Sequence, residues 1–548
     1  MPPVDLPEIV QIKSLPGIKR DGTRLEGDNY VDGQWVRFQR GLPRKMGGTR
    51  MLTNFLREIS RTLYDYTRDS FTYIHFGSRS YVDRLYLDSG SNASVLVDRT
   101  PLALTDDDNN LWQFDTDHDS NGVLQLMAQV APNLANIANS TEGQLFYGDL
   151  TGSSRLTQVT NLPATYSLSG GVVSLHPYTF AFGNDGFVMW SVPTDPTDFT
   201  GSGSGNAYIT SQKIMKGLPL RGGPGNSPSG LFWSADSLVR GSFVGGTQGF
   251  QFDTISAQSS ILSSSGVIEY DGVFYWAGVD RFLMFNGVVR EIENQLNLNW
   301  FYDNINMTYR QKAFVTKTPR WGEIMWCYPR GDATECTHAV IYNIRENTWY
   351  DTELLNTGRS AAIFPTVFSK PLMTGVLPTV NENQTRVTEA GDTRVTEAGD
   401  TRVTEESEAE RYKMWLHETG TDEIDGQSVQ PIQSYFQTGD ISLPVQSGVN
   451  KEIEVSLLEP DFVQSGDLTV KVMGRSNARS VEVESDAMTI PETPSAPEEQ
   501  VNYFKTQRRE LRFQIESNTL GGNFEMGVLL AHILPSDGTV IGGLADGD

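Results

Sequence analysis

The chain has 548 residues and a mass of 60.8 kDa, with 38% hydrophobic and 10% aromatic residues, 52 glycines and 26 prolines. This aromatic content excludes a disordered chain, and the glycine and proline content favours many short strands joined by turns over long helices. With 68 acidic against 43 basic residues the formal charge is −25, which excludes a protein that grips nucleic acid through its general surface.

The opening residues, MPPVDLPEIVQIKSLPGIKRDG, lack a basic-then-apolar leader, and no window approaches 18 consecutive apolar residues, so the expectation is folding in a cytoplasm. Residues 1–50 carry nine basic and six acidic side chains, a net +3 in an otherwise acidic chain, and are rich in proline and glycine. They read as an extended arm that lies on a partner or on the chain's own body.

From about 51 to 425 the texture is strand, turn, strand. Phe71 to Phe76 is followed by Tyr81 to Leu87, and Tyr178 to Phe182 turns through Gly183-Asn-Asp-Gly186 into Phe187 to Trp190. Leu238 to Val244 turns at Gly245-Gly246 into Gly249 to Phe252, Val273 to Trp276 into Phe282 to Phe285, and Glu323 to Tyr328 precedes Ala339 to Asn343. Strand clusters centred near residues 76, 112, 146, 184, 242, 279, 334 and 363 recur at the spacing one propeller blade consumes. The alternative is a set of stacked β-sandwiches. A helix is expected at Leu124 to Ala138, and Asp195 to Phe199 is expected to lead into an outer strand after Trp190.

The octapeptide Thr385-Arg-Val-Thr-Glu-Ala-Gly-Asp392 recurs as Thr393 to Asp400 and begins again at Thr401, filling 385–405. Such a repeat forms either short stacked strands or an acidic loop. From about 426 to 548, strands at Pro431 to Gln437, Glu452 to Leu458, Leu468 to Met473, Val481 to Glu484, Glu510 to Glu516 and Asn523 to Leu534 suggest a β-sandwich-like domain. The fold class is therefore all-β: an irregular β-propeller platform with an added β-sandwich-like C-terminal domain.

Chemistry is sparse. There is no phosphate-binding loop, nucleophile elbow or zinc-protease helix. Asp115-Thr-Asp117-His-Asp119-Ser-Asn121-Gly122 has alternate oxygen ligands, but Ser120 and Leu126 stand where a calcium loop needs glycine and glutamate, so a solvated acidic loop is the better reading. Cys327, Cys336 and His338 lack zinc spacing and read as buried free thiols in a hairpin with a neighbouring histidine. No catalytic, metal or cofactor residue is assigned.

The stretch Gly27-Asp-Asn-Tyr-Val-Asp-Gly-Gln-Trp-Val-Arg-Phe-Gln-Arg-Gly-Leu-Pro-Arg-Lys-Met-Gly-Gly48 resembles the tail nozzle, or tail hub, proteins of short-tailed (podovirus) bacteriophages, also called tail tubular protein B or packaged-DNA stabilisation protein. The strand pairs Val239 to Phe252 and Val273 to Phe285, and the closing Arg508 to Ile515 with Phe524 to Ile533, fit that family's layout; the octapeptide repeat does not belong to it generally. The resemblance implies a non-enzymatic structural protein of the virion tail. Such a protein forms a homohexameric ring that docks on the adaptor ring beneath the portal, holds a fibre, needle or tip protein, closes the channel and conducts double-stranded DNA at ejection, without a cofactor. An acidic lumen would let DNA slide. The basic arm supplies a candidate adaptor-docking interface: Trp35, Arg37, Phe38, Arg40, Arg44 and Lys45. The alternatives are a trimeric receptor-binding tail spike or fibre, and a propeller glycosidase.

Overall fold

The computed structural model describes residues 8–535 except 24–27, 53–55, 89–94, 103–110, 131–143, 164–165, 167, 221–226, 247, 356–357, 366, 378–383, 386–402, 405–411, 443–451 and 497–498. Most of the octapeptide repeat lies outside the described residues. At its edges Gln384–Thr385 pairs antiparallel with Val403–Thr404.

The body is a seven-bladed β-propeller joined to a β-sandwich. Six blades are four-stranded antiparallel sheets, whose innermost strands are Ser60–Arg68, Trp112–His118, Gly171–Leu175, Ile214–Pro219, Val267–Tyr270 and Phe314–Thr318. The seventh combines Ala361–Ile363, Leu372–Val376 and Tyr412–His417 with Thr49–Met51 from the opposite end of the chain. Ala361–Ile363 lies beside Ser60–Arg68 and closes the ring.

Burial explains the strand composition. Among the described residues the buried apolar side chains form seven clusters: six lie between consecutive blades, and the seventh is the sandwich core, which extends to the seam of the sixth and seventh blades. A middle strand is covered on both faces, so it reads as a continuous apolar run rather than an alternating one. Leu124–Val130 is such a strand: Leu126 and Ala128 pack toward the first blade, Met127 toward the third. It pairs with Trp112–His118 on one side and Gln144–Asp149 on the other, so the expected helix is a strand, and the clusters near 112 and 146 belong to one blade. In the third blade the outer strand is Gly205–Tyr208, not a continuation of Asp195 to Phe199. Asp198 instead accepts the backbone N–H groups of Thr200 and Gly201, and Phe199 is buried.

The sandwich is built from both ends of the chain. One sheet runs Asn502–Arg508, Ile453–Ser465, Asn523–Pro535, Leu42–Lys45, Val36–Gln39, with Glu8–Ile12 also paired to Asn523–Pro535. The other runs Asp32–Gln34, Ser434–Gln437, Glu510–Ser517, Leu468–Arg475, Val483–Glu484, with two short strands attached. Their shared core continues through Trp35, Phe38 and Met46 into Phe314, Met325, Ile341 and Tyr350 of the sixth blade and Met373 of the seventh. The segment expected as a separate docking arm is thus part of the sandwich, of the seventh blade and of the seam between them.

Candidate docking site

Val36–Gln39 and Leu42–Lys45 form a hairpin with a two-residue turn, Val36 opposite Lys45 and Gln39 opposite Leu42. Both turn residues have positive φ, 56° at Arg40 and 76° at Gly41, which is the turn that matches strand twist. Glu346, at the outer turn of the sixth blade, accepts the N–H groups of Arg40 (2.8 Å) and Gly41 (2.9 Å) and seats the tip on the propeller.

Behind the tip, Arg37 is buried. Its guanidinium donates to Glu418 through two nitrogens (2.8 and 2.6 Å) and to Glu323 (2.9 Å), and lies 4.8 Å from the centroid of the Trp321 ring. The Tyr350 hydroxyl donates to Glu323 (2.6 Å), and the Trp321 indole N–H to Glu418 (3.2 Å). Burial raises the Glu418 carboxyl, but the paired guanidinium more than offsets this and holds it below its ordinary value. At Glu323 burial prevails over Arg37, the charge on Glu418 adds to it, and the carboxyl is raised. One buried cation thus serves two carboxylates, the buried Glu323 of the sixth blade and the partly buried Glu418 at the strand end of the seventh.

Trp35 hydrogen-bonds Gly47 O through its indole (3.1 Å), its backbone N–H donates to Thr352 Oγ1 (3.0 Å), and Ser434 Oγ donates to its carbonyl (2.9 Å). Phe38 packs on Tyr30 and Tyr350. Lys45 Nζ donates to Gly522 O (2.8 Å), and burial pulls its ammonium down to about 8 against the opposing pull of Asp422. Upstream, Arg20 pairs with Asp351 (3.0 Å) and Asp32 (2.5 Å), and Asp21 accepts the N–H groups of Asn299 and Trp300 at the start of the helix Leu298–Asn304.

The six candidate residues therefore divide. Trp35, Arg37, Phe38 and Lys45 are buried within the chain and present nothing to another protein, because the sheet that carries them is covered by sandwich core on one side and propeller on the other. Arg40, 69% exposed, and Arg44, 26% exposed, stay at the surface and share Glu525. Arg320 joins them: the Arg44 and Arg320 guanidinium groups each lie 4.8 Å from the Trp321 centroid, and burial together with Arg37, Arg320 and Arg40 lowers Arg44. Arg320 escaped the sequence reading because it sits about 280 residues away, on the sixth blade.

Cys327 and Cys336 are buried free thiols, both raised by burial. Burial lowers the neighbouring His338 to about 4.

No protein-family model and no curated protein matches the chain. Among solved structures, similar folds include an ancestral GH74 enzyme (14% identity, TM-score 0.39, covering 64% of this chain and 50% of that one) and the WD40 β-propeller domain of Doa1 (11%, 0.37, 60% and 93%). A third is the computationally designed Ika8 protein (8%, 0.34, 68% and 99%). The chain spans half the length of the GH74 enzyme. These likenesses carry no argument about activity.

Proposed function

We propose that this chain is a structural subunit of a short-tailed phage tail, a nozzle protein that assembles as a homohexameric ring, closes the tail channel and conducts double-stranded DNA at ejection. The observation that carries the reading is the stretch 28–48. The residues that resemble the nozzle family are the ones this chain uses to lock its platform to its sandwich, through Trp35, Arg37, Phe38 and Lys45. A joint of this kind suits a part that must keep a channel closed until ejection. The charge of −25 supports the same reading, because an acidic wall does not retain phosphate.

Adaptor docking falls to the cationic surface left outside the joint: Arg44 and Arg320 over Trp321, with Arg40 sharing Glu525 with Arg44. The test is particle assembly. Tails complemented with the wild-type chain carry six copies on the tail axis, whereas three copies at the periphery would replace the reading with a spike or fibre. Arg40→Glu with Arg320→Glu yields folded protein that fails to join adaptor-bearing heads; unchanged assembly would remove the docking assignment.

A further inference from the structure

Asp117 is the penultimate residue of the innermost strand of the second blade, which ends at His118, and its side chain is only 3% exposed. Its Oδ1 accepts the backbone N–H of His118 (2.8 Å) and lies 2.8 Å from Nδ1 of His176, while Oδ2 accepts Thr179 Oγ1 (3.0 Å). His176 and Thr179 belong to the third blade, in and after the tight turn between Gly171–Leu175 and Tyr178–Phe182. The two exposed imidazoles meet edge to face, centroids 6.0 Å apart at 76°. One ligand atom from each of Asp117, His118 and His176 lies within 4.8 Å of the other two, the one such grouping among the described residues.

We propose that Asp117, His118 and His176 form a site for a divalent transition-metal ion of the zinc class, which pins the second blade to the third. Two imidazoles and a carboxylate are the donors such ions take, and bonds of about 2.0–2.1 Å place tetrahedral ligand atoms roughly 3.3 Å apart. The carboxylate is held in place by Thr179 and the backbone, so closing the remaining distance takes only rotation of two surface side chains. Three protein ligands leave a fourth position for water.

Calcium does not suit the same loop. Asp119 is spent on its own turn, accepting the N–H groups of Asn121 and Val123 (2.9 Å each) and Gln125 Nε2 (3.0 Å). Asp115 accepts the N–H groups of Thr116 and Ser174 (2.8 Å each), and imidazoles are poor ligands for a hard cation. The sequence showed the acidic half of this arrangement; His176, some sixty residues on, completes it.

The test is titration of the chelator-treated full-length protein with zinc chloride, read by calorimetry, and with cobalt chloride, read by the visible absorption of tetrahedral Co²⁺. One equivalent of Zn²⁺ binds and raises the melting midpoint. His118→Ala and His176→Ala, both surface changes that leave the fold intact, each weaken binding at least about tenfold and abolish the cobalt band. His532→Ala, which removes the histidine paired with Glu459, changes neither. Absence of binding at millimolar zinc, binding that survives His176→Ala, or an equal midpoint shift with calcium chloride would each overturn the proposal.

Discussion

Replacing Arg37 by alanine removes the cation that pairs the buried Glu323 with Glu418, a change that costs about 3–5 kcal/mol. Arg40→Glu, three positions along at an exposed tip, costs under about 1 kcal/mol. Urea unfolding of the two variants measures the contrast, and equal midpoints would contradict the assigned burial. Lys45 gives a pH signature. Its folded value of about 8 lies below the ordinary lysine value, so between those two values the unfolded chain holds a proton that the folded chain has released. Stability therefore rises as pH climbs from 8 toward 10.5, by on the order of 3 kcal/mol, and Lys45→Gln removes that rise while keeping a donor for Gly522 O. The two thiols are expected to stay unreactive toward a disulfide reagent in the native protein and to react together once it is denatured, because burial holds both protonated. None of these roles has a local signal. The partners of Arg37 stand 286 and 381 residues away, and an arginine next to a phenylalanine looks the same on a free arm as in a strand covered on both faces.

At the scale of elements, hairpins were legible wherever turn residues broke an aromatic run, as at Asn184 to Gly186 and at Gly245-Gly246. The second blade was not, because Leu124–Val130 is buried on both faces and shows neither strand nor helix periodicity clearly. The closing strand Thr49–Met51 was also hidden, being short and completed by Tyr412–His417 on one side and, in parallel, by Asp422–Asp425 on the other. Gly48 permits that insertion: a Cβ there would lie 2.3 Å from the Asp422 carbonyl oxygen. Gly48→Ala is expected to lower the thermal midpoint by several degrees, and a midpoint equal to the wild type would show that the strand is not held this tightly.

Across the whole molecule, the architecture could be read from spacing and composition, whereas the seam between propeller and sandwich could not. Spacing reports repeating local units, and the seam is made of contacts between the first fifty residues and blade residues some three hundred or more positions away, such as Glu323, Glu346, Thr352 and Glu418. The acidic excess belongs to this scale too. The purified chain is expected to pass through a DNA-cellulose column without retention even at low salt, where a basic surface would bind most strongly. Retention at low salt would count against a conduit.

The double-ended sandwich also sets an order of events during synthesis. Glu8–Ile12 and Leu42–Lys45 find their partner only when Asn523–Pro535 emerges, which at roughly 5–20 residues per second takes about half a minute to a minute and a half. Until then the propeller ring can close, because Thr49–Met51 pairs with Tyr412–His417 and Trp35 and Phe38 reach Thr352 and Tyr350, but one sheet of the sandwich lacks its central strand. A chain cut after residue 520 should therefore be protease-sensitive at Glu8–Ile12, and the chain that includes Asn523–Pro535 should be protected there; equal protection in both would contradict the pairing. The molecule is finished at its beginning.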